Sequence, residues 1–223
     1  MSKIANNTKT LPQRSIGQWL FNPFAFVAGY QALLFGLGII LISAFIGFRG
    51  NTHFDGVLDV HKGFEIFDVN KGRVTPLPLW LFLAEGIIDW MSIAIFLFFF
   101  GLIVSTSSLR MIDVFGTQAL ARWPYLITSI VMLPKANERF GMYLISRFTT
   151  SGGSATVDYT DMCMFISAGI VAVFMAVWMV ALMYRAYTVS CNIKGTRAIV
   201  TFIVGLIGAE VLSKLSILLL LRL

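Results

Sequence analysis

Residues 79–104 read LWLFLAEGIIDWMSIAIFLFFFGLIV, and this stretch decides the class of fold. It contains only two charged residues, Glu85 and Asp89. An α-helix needs about 20 mostly apolar residues to cross a hydrocarbon core of about 30 Å. The stretch therefore predicts a transmembrane helix and places the chain in a membrane.

The composition of the whole chain agrees with a membrane protein. Of its 223 residues, 57% are hydrophobic and 13% are charged, whereas charged residues make up about a quarter of ordinary soluble domains. The mean hydropathy is +0.82. These figures exclude a disordered chain, and two cysteines are too few for a disulfide scaffold. The net charge of +6 is interpreted as loop charge that orients the chain in the bilayer, not as a nucleic-acid surface.

Long runs with few charges predict an all-α integral membrane protein, built as a bundle of five transmembrane helices. The third span is the weakest, because residues 123–133 are apolar but short and the span needs 117–122 as well. Pro124 lies near the start of the apolar run, where a helix tolerates proline. Residues 1–28 are interpreted as a cytoplasmic or interfacial tail and residues 29–223 as the membrane domain, with spans at 30–48, 79–104, 117–133, 164–184 and 199–221.

The distribution of Lys and Arg among the loops predicts the orientation. The tail and the segments after the second and fourth spans hold eight basic residues, Arg122 among them, and one acidic residue. The segments on the other side, 49–78 and 135–162, are each balanced in charge. A cytoplasmic N-terminus and an exterior C-terminus follow. With four spans, the excess of basic residues would no longer lie on one side of the membrane, which favours counting the weak third span.

Residues 52–61, THFDGVLDVH, contain both histidines of the chain. At the period of a β-strand, one face carries His53, Asp55, Asp59 and His61, and turns on either side of residues 64–69 predict a small exterior β-hairpin. Imidazole and carboxylate groups are ligands for a divalent ion such as zinc. Positions two apart on a strand are separated by about 7 Å, so one strand offers about two ligands to one ion. A solvated strand face and a metal or anionic-headgroup site both stay open, and no other cofactor is expected.

Four charged residues inside the predicted spans form a second candidate site. Their spacing of four residues puts each pair on one helix face, and the helical rise places the two pairs at matched depths: Glu85 level with Lys214, and Asp89 level with Glu210. Charges at such depth cost several kcal/mol unless they are paired or hydrated, so the four side chains should face the bundle interior, where they could meet if the second and fifth spans are neighbours. Three carboxylates beside one ammonium imply a protonated carboxyl or access of water. The cluster is either a relay for protons or cations, or a polar clasp between helices.

Sequence patterns of common catalytic sites do not occur in the chain. It has no Gly-x-Ser-x-Gly turn, no phosphate-binding Gly-Lys-Ser/Thr loop and no His-Glu-x-x-His pair. We therefore expect no enzymatic activity.

Residues 111–125 read MIDVFGTQALARWPY, and residues 192–198 read NIKGTRA, followed by Gly208-Ala209-Glu210. These segments resemble bacterial relatives of the Yip-domain family, over about residues 20–222. The resemblance implies an all-helical membrane protein with five spans and a cytoplasmic N-terminus. Eukaryotic members act in vesicle budding and contact Rab-type GTPases. The Asp-Leu-Tyr-Gly-Pro motif of many eukaryotic members has no counterpart here, so a GTPase partner is not carried over.

Two functional hypotheses follow. The first is a non-enzymatic multi-pass protein of Yip type that scaffolds membrane partners or organises lipid through its exterior loops. The second is a small proton- or ion-coupled transporter or channel that uses the four intramembrane charged residues. The expected partners are the lipid bilayer and either another membrane protein or further copies of the chain, and nucleic acid is not expected. The short third span and the absence of eukaryotic motifs favour the bacterial inner membrane.

Overall fold

The computed structural model describes residues 16–54, 67–68, 73–74, 78–149 and 158–222. Within these ranges the chain is helical apart from short connections and one pair of two-residue strands. A 3₁₀ turn at Pro23–Ala25 follows the first helix. The helices are α1 (Ile16–Phe21), α2 (Gly29–Gly50), α3 (Leu79–Val104), α4 (Met111–Leu120), α5 (Trp123–Val131), α6 (Lys135–Thr149), α7 (Tyr159–Cys191) and α8 (Thr196–Leu220).

Four of these helices, α2, α3, α7 and α8, are long and apolar enough to cross a membrane. Helix α3 has the predicted bounds, and α2 begins and ends within two residues of its predicted span. Helix α7 has 33 residues and extends beyond the predicted span at both ends. These helices agree with an all-α integral membrane protein.

The prediction of one continuous helix at residues 117–133 is wrong. The chain forms the ten-residue α4 and the nine-residue α5 there, separated by Ala121 and Arg122. At about 1.5 Å per residue, each covers only about half of a hydrocarbon core of about 30 Å. Pro124 is at the start of α5 and has no N–H to continue the hydrogen-bond ladder from α4. Five continuous spans are therefore not supported within the described residues.

Helices α4 and α5 lie beside α2 and run in the same direction as α2. A Cβ atom on Gly116 would lie 2.6 Å from the carbonyl oxygen of Gly29, at the start of α2. A Cβ atom on Gly50, at the end of α2, would lie 3.3 Å from the Cα of Leu133, just after α5. The broken pair of helices thus covers the same length of the bundle as α2.

Helix α3 runs antiparallel to both α2 and α8. On one side, a Cβ atom on Gly86 would lie 3.1 Å from Ile40 in the middle of α2. On the other side, Gly205 of α8 approaches Leu97 of α3, with 2.9 Å between a Cβ placed there and the leucine Cδ2. The packing of α3 against α8 confirms that the predicted second and fifth spans are neighbours.

Buried polar side chains tie α4 to α7. Gln118 Nε2 donates to the carbonyl of Met183 at 3.0 Å, and the hydroxyls of Thr117 and Ser190 lie 2.8 Å apart. Hydrogen bonds between helices hold a bundle together where lipid supplies no hydrophobic driving force. Helix α4 is therefore fixed by polar contacts although it is too short to span a bilayer by itself.

Helix α6 packs against the first turns of α7. Arg139 donates two hydrogen bonds to Asp161, at 2.5 and 2.6 Å, and the rings of Phe140 and Phe165 lie 5.1 Å apart. The hydrogen bonds that Arg139 donates to Asp161 hold the pKa of Arg139 above its usual value. Lys135, Glu138 and Arg139 are exposed, so α6 presents charged side chains at its surface beside the contact with α7.

The segment between α2 and α3 contains one short antiparallel strand pair, β1 (Phe67–Asp68) with β2 (Arg73–Val74). The other residues of 55–77 lie outside the part of the chain that the structure describes. Two residues in each strand do not support the small exterior β-hairpin that the sequence predicts.

Gly36 and Gly38 provide a matched test of the packing between α2 and α4. A Cβ on Gly36 would collide with Ala119 and the backbone of Leu120, whereas a Cβ on Gly38 would meet nothing within 4 Å. We expect Gly36→Ala to lower the free energy of unfolding by about 1–3 kcal/mol through overpacking. Gly38→Ala should leave it unchanged or raise it by up to about 1 kcal/mol, because alanine favours a helix. Thermal unfolding in detergent measures both, and equal effects would contradict the contact.

A candidate polar site inside the bundle

Polar side chains from four parts of the fold meet around the break between α4 and α5. We call this group the polar centre. It lies among helices that are otherwise apolar. Its members are His53 after α2, Glu85 and Asp89 of α3, Arg122 and Tyr125 at the break, and Ser213 of α8, with the exposed Glu210–Lys214 pair of α8 at its outer edge.

Arg122 occupies the break itself and is only 6% exposed. It interacts electrostatically with Asp89 of α3 and Glu210 of α8. Its Nε atom has no hydrogen-bond partner among the described residues, so these carboxylates compensate its charge at longer range. The sequence analysis counted Arg122 as a loop charge that orients the chain, and its burial inside the bundle corrects that count.

Asp89 links α3 to α8 through a hydrogen bond donated by the hydroxyl of Ser213. Ser213 is buried at the contact between the two helices. Asp89 therefore has a partner on α8 as well as the charge of Arg122. Asp89 is half-buried, and a carboxylate withdrawn from water in this way needs such compensation, because its transfer from water costs several kcal/mol.

His53 reaches the bundle interior because the chain reverses at the end of α2. Asn51 caps α2 in the left-handed conformation, with φ of 53°, and the Thr52 N–H donates back to Gly47. The His53 side chain is fully buried, with Nδ1 3.2 Å from Oε2 of Glu85, which is 1% exposed. Its ring also stacks on Phe82, with centroids 4.3 Å apart. His53 is therefore part of the polar centre and does not lie on an exposed strand.

Tyr125 of α5 also contacts the segment that follows α2, at His53 and Phe54. Its hydroxyl donates to the carbonyl of His53 at 2.6 Å, and its ring stacks on Phe54 at 4.0 Å. Gly86 of α3 leaves the space that the Phe54 ring fills. Residues 51–54 thus form a plug that joins the end of α2 to α3 and α5.

The predicted metal site is not assembled in the part of the chain that the structure describes. His53 faces Glu85, while Asp55, Asp59 and His61 lie outside the described residues. Within those residues there is no group of three or more His, Cys, Asp or Glu side chains that could hold a metal ion.

The predicted cluster of Glu85, Asp89, Glu210 and Lys214 is divided among different partners. Glu85 pairs with His53, and Asp89 with Ser213 and Arg122. Lys214 pairs with Glu210 on the outer side of α8. Sequence reasoning did not include His53 or Arg122 in this cluster. The available signals were a basic residue inside a short predicted span and an asparagine at the end of an apolar run, where a helix commonly ends.

The partners change the charge balance of the centre. Three carboxylates face the two fixed cations Arg122 and Lys214, which leaves a single negative charge when His53 is neutral. The sequence alone indicated an excess of two. One proton shared by His53 and Glu85 makes the centre neutral, which is the favourable state in a low dielectric. The arrangement can therefore hold helices together, and it can bind one proton.

Comparison of the chain with protein-family models, curated proteins and solved structures gives no match.

Removal of either member of the His53–Glu85 pair should destabilise the bundle. We expect His53→Ala and Glu85→Ala each to lower the free energy of unfolding by about 3–5 kcal/mol, because each leaves a buried polar partner behind. The double variant should cost less than the sum, with a coupling of roughly 0.5–3 kcal/mol. Unfolding in mixed detergents measures all three. Additive losses would contradict the pairing, and Ser216→Ala on the exposed side of α8 is the control.

Proposed function

We propose that this chain is a non-enzymatic multi-pass membrane protein that scaffolds membrane partners or organises lipid, with the polar centre as its internal clasp. The observation that carries the proposal is the compensation of the buried charges. Asp89 and Arg122 join α3, α8 and the helix break, and Glu85 with His53 joins α3 to the end of α2. Charged side chains that keep fixed partners on different helices favour a rigid protein over a transport pathway, in which those side chains would exchange partners.

Helix α6 supplies a contact surface suited to such a role. It lies beyond α5, at the end of the bundle where α2 ends, and Arg139 and Asp161 fix it to α7. Its exposed charged residues include Glu138 and Arg147 as well. A charged amphipathic helix held rigidly near the membrane surface can dock a protein or a lipid headgroup with little further loss of conformational entropy.

We also propose that α4 and α5 together make a fifth, discontinuous crossing. The contacts from Gly29 with Gly116 to Gly50 with Leu133 support this, because the pair matches the length and direction of α2. Non-helical backbone at membrane depth is tolerated where protein buries it. With the cytoplasmic N-terminus that the loop charges predict, five crossings would put the C-terminus outside, as expected for a Yip-type protein of a bacterial inner membrane.

Transport of protons or ions is the second candidate, and the position of Arg122 favours it. A helix break beside buried charges is the arrangement in which many transporters bind coupling ions near the middle of the bilayer. The exchangeable proton of the His53–Glu85 pair would then be the coupling ion. This candidate requires the centre to gain access to water on both sides in turn.

The variant Asp89→Asn separates the two functions. Asparagine keeps an oxygen for the Ser213 hydroxyl and removes the charge. For a clasp, we expect a loss of about 3–5 kcal/mol in unfolding free energy, because Arg122 loses a compensating charge, and unchanged proton leak in proteoliposomes. Asp89→Leu, which removes the hydrogen bond as well, should cost more. Proton flux in the wild-type protein that Asp89→Asn abolishes would overturn the scaffold function.

Fusion of reporters to the C-terminus tests the discontinuous crossing. Five crossings put the C-terminus outside, so alkaline phosphatase fused there should be active and green fluorescent protein should be dark. Four crossings predict the opposite result with a cytoplasmic N-terminus. A fusion after Ser107, between α3 and α4, is the control, because it should report the cytoplasm with either number of crossings.

A further inference from the structure

The Glu210–Lys214 ion pair lies on the outer surface of α8. The two side chains are 61% and 41% exposed respectively. Their neighbour Ser213 points the other way, to Asp89 of α3. The pair therefore lies at the boundary between the bundle and the medium that surrounds it.

That medium is the interior of the bilayer. Asp89, which is level with the pair, lies ten residues from the start of α3 at Leu79 and fifteen from its end at Val104. These separations correspond to about 15 and 22 Å along the helix. Both distances place the ion pair well inside a hydrocarbon core of about 30 Å.

An ion pair at this depth is unfavourable in contact with lipid, since charged side chains near the bilayer centre cost several kcal/mol each. A lysine near a helix end can escape by extending toward the interface. Lys214 does the reverse, because Nζ bonds Glu210, one turn deeper in the membrane. The charged surface of α8 therefore needs a protein cover.

The apolar residues around the pair continue the same uncovered surface. The residues of α8 that pack on the bundle, including Phe202, Ala209 and Ile217, are buried on the opposite side. The exposed apolar residues around the pair include Val200, Ile203, Val204, Ile207, Val211, Leu215 and Leu218, and Ile199, Leu212 and Leu219 are exposed as well. A partner helix would thus meet an apolar surface with one glutamate and one lysine near its centre.

We propose that a second copy of this chain covers the surface, and that the two α8 helices exchange ion pairs. The surface carries both charges four residues apart, so it is complementary to itself. In a two-fold dimer with parallel α8 helices, Lys214 of one protomer and Glu210 of its partner are offset by about 6 Å along the axis. Long side chains bridge that offset, as they do between charged positions of coiled coils. The dimer desolvates the four charges together, whereas a partner of one sign would leave two of them uncompensated.

Charge variants with two different tags test the dimer. Lys214→Glu gives an all-acidic surface and Glu210→Lys an all-basic one. In nanodiscs or mild detergent, each variant alone should dissociate at least about tenfold more readily than the wild type. Co-expression of the two variants should restore association, and each tag should then capture the other. The double variant Glu210→Lys/Lys214→Glu should dimerise with itself.

Three results would overturn the proposal: a monomeric wild type at every protein-to-lipid ratio, failure of the two variants to capture each other, or stoichiometric capture of a different membrane protein.

Glu210→Lys also places a cation near Arg122, so its unfolding is measured first. If it does not fold, cysteine cross-linking decides. In a Cys163→Ser background, Val211→Cys on α8 should cross-link between copies, and Phe174→Cys on the exposed side of α7 should not. Equal cross-linking at the two positions, or none at Val211→Cys, would contradict the interface.

Discussion

The buried guanidinium of Arg122 is the constraint on which the interior of this bundle depends. An arginine side chain inside a membrane must be matched by negative charge, because its desolvation costs several kcal/mol. Asp89 and Glu210 supply that charge from α3 and α8. The break between α4 and α5 is what brings Arg122 to this depth. The position of α4 and α5 in the bundle and the acidic residues of α3 and α8 are therefore parts of one arrangement.

Much of the fold could be predicted because the signals are local. The apolar run at 79–104 gave the bounds of α3 directly, since twenty apolar residues have no favourable environment except a membrane or a large core. The break at Ala121–Arg122 escaped the same reasoning. Pro124 near the start of the apolar run is compatible with one continuous helix. The end of the backbone hydrogen-bond ladder of α4, at Leu120, is visible only in the structure. The exterior segment remains a prediction wherever it lies outside the described residues.

The site was predictable in its depth and not in its pairing. Helical rise placed Asp89 level with Glu210 of α8, whereas the structure pairs it with Ser213, three residues further along the helix. The pairing of Glu85 depends instead on a chain reversal at Asn51, which folds His53 back into the bundle. The period-two pattern predicts His53 on an exposed strand face, because alternation alone does not reveal that the segment folds back among the helices. The left-handed cap at Asn51 involves only two or three residues, but it brings His53 into contact with Glu85 of α3, which is distant in the sequence.

The plug at residues 51–54 links the polar centre to the segment that joins α2 and α3. His53 contacts Glu85, and its own carbonyl accepts the Tyr125 hydroxyl, so both its side chain and its backbone are fixed by the bundle. The position of residues 51–54 and the pairing of Glu85 are consequently coupled, whether the protein is a scaffold or a transporter. A change that displaced this segment would take His53 away from the buried Glu85 carboxyl, and a buried carboxyl that loses a partner costs several kcal/mol.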